Sequence, residues 1–103
     1  MIDVGGSCGA LIVFTSESML GVEIEIRRRG QAWVGTHTAV RRRDLRDAVA
    51  FAGVFGSIVE GEYELRTPAA DGGPTGDGAE LEVAVVGGEI TQIQWPSVTA
   101  PSP

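Results

Sequence analysis

His37 is the only imidazole and Cys8 the only thiol in the 103 residues, so acid–base or nucleophilic chemistry would have to centre on one of them. A general base or metal ligand at His37 needs a second orienting or ligating group, and no Cys or further His lies at ligand spacing. A thiolate at Cys8 needs a base or cation beside it to lower its pKa. The flanking Gly5-Gly6-Ser7 and Gly9 read as a turn entering a strand, not as a nucleophile elbow. One cysteine also excludes an intramolecular disulfide. His37 stands between Thr36 and Thr38, and on a strand it shares a face with Trp33 and Arg41. That placement suits recognition better than catalysis.

The charged residues offer binding chemistry. Arg27-Arg28-Arg29 and Arg41-Arg42-Arg43 are guanidinium triplets that can hold phosphate or carboxylate through paired hydrogen bonds. Side chains alternate along a strand, so only Arg27 with Arg29, and Arg41 with Arg43, share a face. If the two segments pair through a turn near Gly30, they form a basic patch beside Trp33. The other reading is solvated charge that blunts a sheet edge. Glu60, Glu62 and Glu64 align on one face and can oppose arginines across the sheet or on a partner. Asp71, Asp77 and Glu80 lie in a Gly-rich stretch, but their spacing misses the calcium-loop pattern. Trp95 ends the last apolar segment and reads as core.

Eight basic and fourteen acidic residues give a net charge of −6. The pI of about 4.6 argues against a free nucleic-acid binder. All eight basic residues are Arg. Residues 1–46 carry seven Arg against five acids, or +2, and residues 47–103 carry one Arg against nine acids, or −8. Such opposed halves can pair with a partner or with a second copy.

The elements that must position these residues are strands. Val22, Ile24 and Ile26 alternate with Glu23, Glu25 and Arg27; Tyr63 and Leu65 alternate with Glu62, Glu64 and Arg66; Leu81, Val83 and Val85 alternate with Glu80, Glu82 and Ala84. The apolar run Gly9 to Thr15 predicts a central strand. Gln31 to Arg42, Asp47 to Phe55 and Glu89 to Trp95 complete seven. Ser16 to Leu20 has room for one helical turn. Arg29-Gly30 and Gly87-Gly88 read as hairpin turns. Pro68 to Gly78 holds four of the fifteen glycines and reads as a mobile loop. Seven short strands predict an all-β, antiparallel β-sandwich, prealbumin-like or immunoglobulin-like, over residues 1–95 with a tail at 96–103. A chain of this length is too short for a Rossmann dehydrogenase, a kinase or a barrel enzyme. No apolar run exceeds five residues and no secretory leader is visible, so the expectation is a soluble cytoplasmic protein without a membrane partner.

Gly61-Glu62-Tyr63-Glu64-Leu65, then Leu81 to Val86, Gly87-Gly88 and Ile90 to Trp95, resemble the closing pattern of prealbumin-like, carboxypeptidase-regulatory-like sandwiches. Gly9-Ala10-Leu11-Ile12-Val13, Glu23-Ile24-Glu25-Ile26 and His37-Thr38-Ala39-Val40-Arg41 are similar to segments of a group of small actinobacterial proteins. The first resemblance implies a sandwich fold. Enzymes of the transthyretin type pair His and Arg residues with a Tyr-Arg-Gly-Ser ending, and this chain has one His and ends differently. The residues together predict a non-enzymatic module that binds another protein, or a second copy, through Trp33, His37, Arg41 and Arg43, with no cofactor. The alternative expectation is a small-molecule or metal-ion binder centred on His37, with weak hydrolytic activity.

Overall fold

Alternation and β-branched content carry most of the chain into strands, as the computed structural model shows for the residues it describes, 5–33, 35–67 and 81–95. The strands are β1 (Cys8–Thr15), β2 (Glu23–Arg28), β3 (His37–Ala39), β4 (Arg41–Asp44), β5 (Val49–Val59), β6 (Gly61–Arg66), β7 (Leu81–Val85) and β8 (Ile90–Gln94). One 3₁₀ turn at Glu17–Met19 is the only helical element among the described residues, and none is long and apolar enough to cross a membrane. The expected loop at Pro68 to Gly78, the tail at 96–103, and Asp71, Asp77 and Glu80 lie outside the described residues.

Two four-stranded sheets pack face to face as an all-β sandwich: sheet A in the order β4-β5-β1-β8 and sheet B in the order β3-β2-β6-β7. The inner faces supply Leu11, Val13 and Phe55 from one sheet and Ile24, Ile26, Tyr63, Leu65 and Val85 from the other. Leu11, Ile24 and Leu65 are fully buried, each contributing about 2 kcal/mol by removal from water. Trp95 is buried in the same core, as its position after the last apolar run implied.

Three features differ from the sequence expectation. The described residues form eight strands, because the segment expected as one strand over 31–42 contributes two short ones, β3 and β4. β3 pairs with β2 in sheet B, and β4 pairs with β5 in sheet A. The buried Val40 stands between them, where the chain crosses from one sheet to the other. Second, Gly87-Gly88 is a tight turn, with Glu89 N–H donating to Val86 O at 3.2 Å and Gly88 at φ +79°. It makes no hairpin: it carries the chain from β7 in sheet B to β8 in sheet A. Third, β8 runs parallel to β1, from Ala10 opposite Ile90 to Phe14 opposite Gln94, while the other pairings are antiparallel.

A bulge in β5 keeps its long strand on the core. Leu11 faces Phe55, but Gly9 faces Ile58, so β5 spends one residue more than β1 over this stretch. The extra residue resets the parity. Phe51 and Phe55, at odd positions, and Ile58, at an even one, all reach the core.

Candidate functional site

The charged face of sheet B follows from strand alternation and register. Ile24 and Ile26 point into the core, so Glu25 and Arg27 point outward from β2. On β6, Tyr63 and Leu65 point inward and Glu64 and Arg66 outward. The register sets Glu25 opposite Arg66 and Arg27 opposite Glu64. Both pairs close: Arg66 Nε lies 2.7 Å from Glu25 Oε1, and Arg27 Nε lies 2.7 Å from Glu64 Oε1. One step on, Arg29 Nη1 lies 3.0 Å from Glu62 and 4.0 Å from Glu82.

Trp33 covers the inner four of these charges. The guanidinium carbons of Arg27 and Arg66 lie 4.3 and 4.2 Å from its ring centre, within cation–π range. Under this lid the four charged side chains are only 10 to 16% exposed. The indole Nε1 is buried and has no acceptor. Sequence reading singled out Trp33 and the Glu60–Glu62–Glu64 series separately. Which arginines they meet depends on β2 pairing with β6, which neither segment reveals alone. Glu60 stands outside the series, its carboxylate accepting from Gly87 N at 3.3 Å.

His37 sits exposed on β3 with both ring nitrogens engaged, Nδ1 at 2.7 Å from Gly35 O and Nε2 at 2.8 Å from Glu23. Among the described residues, no three His, Cys, Asp or Glu side chains gather to hold a metal ion. Trp33, between β2 and β3, and His37, on β3, therefore lie on sheet B, while Arg41 and Arg43 are on β4 of sheet A. The four residues expected to share one face do not. The crossing at Val40 separates them, and the basic patch expected between Arg27–Arg29 and Arg41–Arg43 does not form.

Sheet A presents different chemistry. The strands β1 (CGALIVFT), β5 (VAFAGVFGSIV) and β8 (ITQIQ) contain no charged residue. Leu11 and Val13 fill the core, so Ile12 and Phe14 face outward and are half-buried. Val54 lies opposite Ile12, and Ala52 lies opposite Phe14. β4 sets Arg41 opposite Ala52 and Arg43 opposite Ala50 on this same outer face. One row across the sheet thus reads Arg41, Ala52, Phe14, Gln94. Among the described residues no carboxylate comes within ion-pair distance of Arg41 or Arg43. Arg42, on the other side of the strand, pairs with Asp44 at 3.1 Å. Arg43 reaches Ala52 O at 3.5 Å, and its buried Nε has no acceptor. The exposed Ile90 extends the apolar surface to the far edge.

Cys8, at the start of β1, is half-buried. The chain matches no family model, no curated protein and no solved structure.

Proposed function

We propose that this chain is a non-enzymatic protein-binding module and that the outer face of sheet A receives the partner. The observation that carries the reading is the contrast between the two outer faces. On sheet B, Glu25, Arg27, Glu64 and Arg66 neutralise one another under Trp33. On sheet A, Ile12, Phe14 and Val54 form an uncharged centre beside two arginines that meet no carboxylate among the described residues. An apolar centre with arginine at its margin is the composition that protein interfaces favour. The partner complementary to it presents apolar side chains to Phe14 and Val54, and carboxylates to Arg41 and Arg43.

The test is affinity capture from lysate of the source cells, with sedimentation velocity on the purified chain to detect a second copy. Wild type is compared with an Arg41→Glu/Val54→Glu variant and with His37→Ala, each checked for folding by circular dichroism. The sheet A variant should lower capture, or self-association, by about tenfold or more, and His37→Ala should leave it unchanged. Capture that ignores the sheet A variant, or that His37→Ala abolishes, overturns the assignment. So does a chain that captures nothing and sediments as a monomer at every concentration.

A further inference from the structure

A second site lies at the opposite side of the Arg27-Arg28-Arg29 triplet. Alternation sends Arg27 and Arg29 outward to Glu64 and Glu62, so Arg28 turns to the core side of β2, following Ile24 and Ile26. It does so where the strand ends, and there the two sheets leave a cleft of about 410 Å³. That is toward the small end of the ~300–1,000 Å³ usual for small-molecule sites. Ile26, Ile58 and the Tyr63 ring line it, with Ala32 and Val59 beside them. Gln31, Thr36 and Arg28 supply its polar groups, and Arg27, paired with Glu64, also borders it.

Arg28 is held rather than merely present. Its Nη1 donates to Glu60 O and to the Tyr63 hydroxyl, each at 3.3 Å, and its guanidinium carbon lies 5.4 Å from the Tyr63 ring centre. The Tyr63 hydroxyl in turn donates to Val59 O at 2.6 Å. Gly61 makes the room: a Cβ there would come within 2.6 Å of Arg28 Nη2, and the backbone sits at φ +151°. The acids nearest in sequence are committed elsewhere, Glu60 to Gly87, Glu62 to Arg29 and Glu64 to Arg27. Among the described residues the guanidinium has no carboxylate partner.

We propose that this cleft binds a small monocarboxylic acid with a compact apolar body, the carboxylate on Arg28 and the body against Ile26, Ile58 and Tyr63. With Arg27 held by Glu64, the Arg28 guanidinium above apolar walls suits a single negative charge. A phosphate dianion would need more donors to offset its desolvation.

The test uses the full chain with 4-phenylbutyrate as probe and 4-phenylbutanol as its uncharged counterpart, followed by methyl and amide NMR shifts. The acid should shift the Ile26 and Ile58 methyls and bind about tenfold more tightly than the alcohol, as expected of a charge-assisted contact. Arg28→Gln should erase that preference. Gln31→Trp, at an exposed position on the rim, should block both probes while the rest of the spectrum stays in place. Equal affinity for acid and alcohol, shifts confined to other residues, or a preference that survives Arg28→Gln would each overturn the proposal. Because the sheet A face is not involved, failure here leaves the protein-binding reading standing, and the reverse holds too.

Discussion

Trp33 holds down two arginines whose charges are already neutralised, and pays for it with one buried indole N–H that finds no acceptor. A buried donor left unmade costs free energy, so the ring and its N–H pull in opposite directions. Trp33→Phe removes the orphan donor and keeps an aromatic face. It should change stability by less than about 1 kcal/mol, whereas Trp33→Ala should cost about 2 kcal/mol by exposing the ion pairs and losing both cation–π contacts. Urea titration of the two variants distinguishes these outcomes; equal losses would mean that the aromatic face contributes nothing. The residue types of this cluster were legible in the sequence, but their partnership was not. Glu64 is 37 residues from Arg27, and only the β2–β6 register brings them together. Arg28 was hidden in a different way. Alternation separates it from its two neighbours, yet the cleft it enters exists only once β5 is folded over β2.

At the scale of strands, β2, β6 and β7 were readable because each has one wet face, and β5 because β-branched and aromatic residues outweigh its alanines. The crossing at Val40 left no trace. Thr38 points toward the core and Val40 is buried, so the two-residue period runs unbroken while the strand's partner changes. Gly87-Gly88 carries the signature of a hairpin because a sheet-to-sheet corner needs the same tight turn. The Arg41–Arg43 segment does occupy a sheet edge, in agreement with the edge-guarding reading, although its two outward arginines also frame the apolar face.

Close approach between elements is fixed at Gly9, Gly53, Gly61 and Gly87, and the first two make a contrast. A Cβ on Gly9 would stand 2.4 Å from Val86 O and 3.0 Å from Glu89 O, backbone atoms on the turn between β7 and β8. One on Gly53 would stand 2.8 Å from the Thr38 methyl, the movable end of a side chain. Gly9→Ala should therefore cost about 3 kcal/mol and resist rescue. Gly53→Ala should cost less and be largely restored by Thr38→Ser, a coupling that a double-mutant cycle measures. Equal penalties without rescue would show that β3 cannot yield beside β5.

For the whole molecule, the split between a basic first half and an acidic second half gains meaning from topology. Sheet B draws β2 from one half and β6 and β7 from the other, so its opposite charges cancel in place. Sheet A also mixes the halves, but β1, β5 and β8 bring no charge to answer β4. Composition shows the imbalance; only the strand order shows where it remains. The parallel pairing of β1 with β8 has a mechanical side. Because both strands run the same way, Cys8 and Trp95 leave the pair at opposite ends. Tension applied between those two residues slides β1 along β8 and loads their evenly spaced backbone bonds together. Tension between Arg41 and Ala52, at the open end of the β4–β5 hairpin, peels bonds apart one at a time. Single-molecule pulling should find a higher rupture force for the first geometry than for the second. Pulled lengthwise, the β1–β8 pair shares its load among all its bonds, as a rope lap does.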